Sequence, residues 1–216
     1  MFSEIAGNYD RLNSLLSLNL HRRWRAAAVA SLKLGPGDRA LDVCCGTGDF
    51  AAELMKRVGK DGLVVGIDFA LPMLEIARRK TDAPYSLGDA CALAIRSEQF
   101  DAATVGWGIR NVPDIDLAHR EIVRTLKKGG RFVSLDMALP ENGLIRFVSR
   151  LVFRICSPLL GTLFGSRSAY QYLPESTERF WSREELAASM RKAGLTRVRF
   201  RNFMFGNICM HWGIKE

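Results

Sequence analysis

No run of about 20 apolar residues free of charge occurs in this sequence, which argues against a membrane-spanning helix. There is no Cys-x-x-Cys pair, and the three histidines, His21, His119 and His211, lack the spacing of metal ligands; no metal site is expected. The five cysteines are odd in number. Cys44 and Cys45 are adjacent, so in a strand they point to opposite faces and cannot share a metal. The opening "MFSEIAGNYDRLN" has no apolar signal core, so the cysteines read as free thiols in a reducing cytoplasm. Internal repeats and low-complexity tracts are absent, which excludes a solenoid. Acidic residues are the scarcer charge, 23 against 31 Lys and Arg, for a net +8. Such an excess suits nucleic acid, an anionic membrane or acidic substrates without choosing among them.

What is present is an alternation. Short apolar runs at 39–45, 62–68, 99–108 and 131–138, with a shorter one at "PYSLGD", alternate with helical patterns at 49–59, 71–80 and 114–130. Asp49 is expected to cap the first of these helices, Gly59 to end it, and Pro72 to fit the first turn of the second. A later helix, "SREELAASMRKAGL", precedes "TRVRFRNF" and "NICMHWGIK", which suit an antiparallel pair. Alternation of this kind predicts a mostly parallel sheet with helices on both faces. The 216 residues fit a single domain. Residues 1–35 read as a helical N-terminal extension, and 139–180 as an insertion that interrupts the alternation.

The turn after the first strand, "LDVCCGTGDF", carries Gly46, Thr47 and Gly48. Glycine lets the backbone bend tightly and a ligand come close. A dinucleotide would set a pyrophosphate on the following helix. Here Asp42 and Asp49 flank the turn, and no Lys or Arg lies between Leu41 and Met55. The cationic sulfonium and ammonium of S-adenosylmethionine suit that acidic surround better. Asp68 ends the second strand, where a carboxylate can accept from two ribose hydroxyls. Asp89 follows the third, where it can accept from an adenine amino group, and Ala90 can offer a backbone N–H. Singly, each Asp could merely cap a helix; three in order at strand ends favour the nucleoside.

The segments "LDVCCGTGD", "VVGIDFALPMLEIARRK" and "GDACAL" resemble the successive cofactor motifs of Rossmann-type, class I methyltransferases. "MFSEIAGNYDRLNSLLSLNLHRRWR", "GWGIRNVPD", "LKKGGRF" and "AYQYLPEST" resemble the UbiE/MenG-type quinone C-methyltransferases, from Phe2 to the C-terminus. The sequence departs in three places: "CC" replaces the first loop glycine, Gly106 stands where some relatives carry serine, and "ALAIRSEQFD" replaces a usual "LPF". The resemblance implies that Thr47, Asp68, Asp89 and Ala90 contact S-adenosylmethionine and that Gly46 and Gly48 shape its loop. It implies methyl transfer to a ring carbon of a prenylated quinol, demethylmenaquinol before a benzoquinol or a phylloquinol-type ring. Ring carbons are nucleophilic in the quinol and not in the quinone, so the reduced form is the expected acceptor. Arg110 in "GIRN" is the expected catalytic residue, stabilising a phenolate or orienting a water. Asn111 and Tyr172 either orient substrate or pack.

"GLIRFVSRLVFRICSPLLGTLFG" (143–165) has Arg146, Arg150 and Arg154 every fourth residue. On a helix they drift by about 40° per step and form a narrow stripe. Pro158 is expected to stop that helix near Cys156. Either the arginines snorkel from a packed helix, or this is an amphipathic lid resting on an anionic leaflet. The second reading expects the stripe to face outward and the protein to be cytoplasmic with peripheral membrane contact. Nucleic acid is not an expected partner: "NVPD" lacks the second proline and the aromatic of an amino-group methylase. A non-catalytic subunit and a homo-oligomer stay open.

Overall fold

The computed structural model describes residues 14, 15, 17–163 and 176–216, with the side chains of 153 and 155–163 outside that description. The calls on Tyr172 and on the start of the N-terminal extension lie outside the described residues. Seven strands, β1 Arg39–Val43, β2 Leu63–Asp68, β3 Tyr85–Leu87, β4 Phe100–Gly106, β5 Leu126–Met137, β6 Leu195–Phe203 and β7 Ile208–Lys215, make one sheet. Its order is β3-β2-β1-β4-β5-β7-β6. The first five run parallel, and β7 pairs antiparallel with both β5 and β6. The order reverses between β1 and β4, which opens a crevice beyond their C-terminal ends.

Helices cover both faces. On one face α1 (Leu20–Ser31), α2 (Asp49–Val58) and α3 (Leu71–Lys80) bury Trp24, Val29, Leu54 and Leu74 against Val133 and Leu135. On the other, α4 (Ile115–Thr125) and α6 (Arg183–Lys192) bury Ile122, Leu186 and Met190 against Phe132. Phe50, Leu54 and Val58 recur every fourth residue along α2, which is why that face and no other goes inward. Asp114 caps α4 by accepting from the Leu117 N–H at 2.8 Å, and Ser182 with Glu185 forms a capping box on α6.

Three boundaries differ from the sequence expectation. The N-cap of α2 is Gly48, in the left-handed region at φ 80°, so Asp49 is freed for other contacts. Helix α4 ends at Thr125 instead of running to Gly130. Leu126, fully buried, is drawn into β5 by pairing with Phe100, and a register shift then absorbs the Lys-Lys-Gly-Gly turn. The helix at 143, α5, runs Gly143–Leu163 and passes Pro158. Proline deletes one N–H from the ladder, and a helix of this length keeps the others.

Candidate active site

The crevice holds a cavity of about 360 Å³, bordered by Asp42, Gly46, Asp68, Asp89, Ala90 and Asn111, among others. Its volume suits a small-molecule cofactor. Sharp turns build it. Cys44 after β1 and Trp107 after β4 both sit at φ 54°, an uncommon conformation for non-glycine residues that recurs at ligand sites. The turns interlock, since a Cβ on Gly108 would lie 2.3 Å from the Cβ of Cys44. At Gly48 a Cβ would lie 2.5 Å from the Tyr85 hydroxyl, so glycine is required there for both φ and space. Gly106 is explained in the same way: a Cβ would meet Phe50 Cε2 at 2.2 Å, so the serine of some relatives is excluded while Phe50 keeps its place.

Asp68, 7% exposed, ties the loop together. Its Oδ2 accepts from the Gly46 N–H at 2.8 Å and its Oδ1 from the Ala70 N–H at 2.9 Å. Burial raises its pKa, opposed by N–H bonds from Ala70, Gly46 and Phe69 that favour the charged form. Asp89 is exposed, and its Oδ1 accepts from the Cys91 N–H at 2.8 Å. Asp42 lies under the loop, 1% exposed, accepting from Thr104 Oγ1 at 2.7 Å and the Ala51 N–H at 3.1 Å. Burial pushes its pKa up to about 7. Burial also raises the Cys44 and Cys45 thiols, with the Asp42 and Asp68 carboxylates adding to the effect; they stay protonated and inert.

One electrostatic expectation is corrected. Asp49 does have cations beside it, brought from distant segments. Arg25 on α1 donates from Nη2 to its Oδ2 at 2.8 Å, and Lys80 on α3 donates to its Oδ1 at 2.9 Å. Burial would raise the Asp49 pKa, but these two cations hold it below the usual carboxylate range. Lys80 also donates to Thr47 Oγ1 at 3.0 Å. All four of these acids border the cavity, but Asp49 is flanked by cations and Asp42 is buried with a raised pKa, which leaves Asp68 and Asp89, held by backbone N–H groups. Arg25 was missed because nothing local in "HRRWRAAA" sets it apart from its neighbours.

Arg110 does not border this cavity. Its side chain is 6% exposed and pairs with Asp136, itself 2% exposed, and its Nη1 also donates to the Trp107 carbonyl at 2.8 Å. It borders a second cavity, of about 440 Å³, with Ser176, Arg179, Phe180 and Trp181; Val112 and Pro113 border both. Asn111 lies on the first cavity, its Nδ2 donating to the Trp107 carbonyl at 3.3 Å.

The glycine turn and the carboxylates at or near the ends of β2 and β3 fit S-adenosylmethionine, whose sulfonium arm needs close backbone approach and whose ribose and adenine offer hydrogen-bond donors. Solved structures show the same fold. A methyltransferase dependent on S-adenosylmethionine from Thermotoga maritima superposes with a TM-score of 0.71 at 23% identity, covering 100% of this chain and 98% of that one. A putative methyltransferase of Haloferax volcanii, in complex with its Trm112 activator, gives 0.72 at 18% identity over 99% and 97%. Sequence relatives are nearer. The demethylmenaquinone methyltransferases of Staphylococcus saprophyticus and Lactiplantibacillus plantarum are 38% and 39% identical over 100% of this chain and 94% of theirs. That of Staphylococcus aureus is 40% identical, over 100% and 92%. The family model for ubiE/COQ5 methyltransferases matches residues 1–215. A cradle shaped for S-adenosylmethionine, in a chain matched from end to end, makes this protein a methyltransferase of the ubiE/COQ5 methyltransferase family.

Proposed function

We propose that this protein methylates a ring carbon of demethylmenaquinol, the reduced quinone, in respiratory quinone synthesis. The observation that carries the reading is the near full-length likeness to relatives named demethylmenaquinone methyltransferase. When bound, S-adenosylmethionine supplies an electrophilic methyl on a sulfonium. The chain's own task is to hold the acceptor carbon in line with that methyl and to favour loss of a proton from a ring hydroxyl. Gly46, Thr47, Gly48, Asp68, Asp89 and Ala90 hold the cofactor. Arg110 acts on the acceptor side, its positive charge favouring a phenolate or orienting the water that takes the proton. Its place on the second cavity, which adjoins the first along Val112 and Pro113, supports that role.

The test is incubation with labelled S-adenosylmethionine and demethylmenaquinone of defined tail, with and without a reductant. Label in menaquinone only under reduction is expected; in a parallel incubation with a demethylated polyprenyl-benzoquinone, labelling of that acceptor and not of demethylmenaquinone would move the assignment to the benzoquinol ring. Asp68→Ala is expected to weaken S-adenosylhomocysteine binding by about 1–3 kcal/mol in calorimetry, through lost hydrogen bonds and a loosened Gly46 turn. Unchanged affinity would remove Asp68 from the site.

Peripheral membrane contact through α5 belongs to the same reading. Among the described residues no helix is long and apolar enough to cross a membrane. Two members of the arginine stripe, Arg150 and Arg154, are exposed, Arg150 pairing with Glu178 at 3.2 Å, whereas half-buried Arg146 donates from Nε to the Pro140 carbonyl at 2.8 Å. Leu144 and Phe147, 73% and 65% exposed, are on the surface as well, with Val148, Leu151 and Val152. With five exposed apolar side chains beside two exposed arginines, one of them paired with Glu178, apolar contact carries more of the attachment than charge. Phe147→Ser with Leu151→Ser is expected to reduce co-sedimentation with phosphatidylglycerol vesicles more than Arg150→Gln with Arg154→Gln. The opposite ranking would restore a mainly electrostatic attachment.

A further inference from the structure

We infer that Arg25, from the N-terminal helix, is the binding site for the carboxylate of the cofactor's amino-acid arm. The inference rests on S-adenosylmethionine being the cofactor. Among the described residues bordering the main cavity, Arg25 is the sole Lys or Arg. The carboxylate is the sole anionic group of S-adenosylmethionine. Asp68, at the end of β2, and Asp89, just beyond β3, repel it, and Arg25 enters the same cavity from α1.

The guanidinium is held in place before any ligand arrives. Its side chain is 11% exposed, and its Cζ lies 5.6 Å from the Phe50 ring centroid and 5.9 Å from that of Trp107. Helix α1 is itself anchored by Trp24, 7% exposed, against Phe203. Cation–π contact fixes the plane of the fork without using its N–H donors. Asp49 takes one contact, at Nη2, and Nε is buried with no protein partner. A guanidinium has five donors in a plane suited to carboxylates, so capacity remains.

Asp49 does not cancel this charge. It sits between Arg25 and Lys80, and two cations on one carboxylate leave a net positive charge beside the Gly46–Gly48 turn. The same arrangement protects the fold when Arg25 is replaced, because Asp49 keeps Lys80. The N-terminal helix thereby completes the cofactor site and is more than a covering element.

Calorimetry with two ligands separates a carboxylate contact from a packing role. S-adenosylhomocysteine has the carboxylate; its decarboxylated analogue keeps the nucleoside, thioether and ammonium. Arg25→Met is expected to weaken S-adenosylhomocysteine about 10- to 100-fold, as for a charge-assisted hydrogen bond, and the analogue by less than about threefold. Arg25→Lys, which keeps the charge and loses the fork, is expected to fall between and to show the same preference. Should Arg25→Met fail to fold, the lysine variant carries the comparison. Equal losses for the two ligands, or none for either, would overturn the carboxylate assignment. If the parent protein binds neither ligand, it is the cofactor assignment itself that fails.

Discussion

Arg110→Ala is expected to destabilise the protein by about 3–5 kcal/mol, because it strands a buried carboxylate. Asp136 is 2% exposed, and Arg110 is its ion-pair partner at the end of β5. The same guanidinium bonds the Trp107 carbonyl, in a turn at φ 54°, so its loss also releases the backbone between the two cavities. Low activity in this variant would thus say nothing about chemistry. The informative variant is Arg110→Met with Asp136→Leu, which removes both charges and keeps volume; such exchanges are often neutral or stabilising. Denaturant melts should show the double variant near the parent and Arg110→Ala far below it. With the fold restored, methyl transfer is expected to stay low while S-adenosylhomocysteine affinity changes little. Parental turnover in the stable double variant would reduce Arg110 to a structural ion pair.

Acid should destabilise the protein through two histidines at the antiparallel side of the sheet. His119 is fully buried; its Nδ1 lies 2.8 Å from Ser189 Oγ and its ring edge packs on Phe132. His211, 2% exposed, donates from Nε2 to the Arg183 carbonyl at 3.0 Å, and its Nδ1 is buried without a partner. Burial lowers both pKa values to about 4, and the mutual repulsion of the two rings adds to this for His119. An ordinary histidine titrates near 6.5, so the folded state binds fewer protons than the unfolded one. Stability is then full above pH 6.5 and is lost as the pH falls toward 4, by about 3 kcal/mol for each ring. Asp42 works the other way. Its folded pKa of about 7 lies above the ordinary carboxylate value, so its protonation stabilises the fold as the pH falls over the same range, by about 4 kcal/mol. The net loss between pH 7 and 4 is the smaller difference. Thermal melts should therefore separate the groups: His119→Gln with His211→Gln should gain stability on acidification where the parent loses it. A parent and a double variant with parallel pH profiles would show that the two rings titrate in the folded protein as they do in the unfolded chain, and would overturn the lowered pKa values.

The alternation of apolar runs and helical periods was enough to predict a mostly parallel sheet with an antiparallel C-terminal pair, because those patterns are local. Gly46, Asp68 and Asp89 lie at or just after the C-terminal ends of strands, so the same local pattern places them at the crevice, with Gly48 capping the helix that follows. Boundaries set by pairing were not legible. Lys127–Gly130 look like the end of a helix until Phe100 draws Leu126 into the sheet. The surroundings of the site were the least legible. Leu41–Met55 is acidic along the chain, yet Asp49 is flanked by Arg25 and Lys80, and Arg110 is bound to an aspartate 26 residues away. Charge acts through space and with the local dielectric. The sequence by itself determined the fold class, the glycine turn and the acids at strand ends. Only the tertiary structure decided which of those acids are neutralised, which arginine enters the main cavity and which is buried beside it, because those outcomes depend on segments that meet only after the sheet has formed.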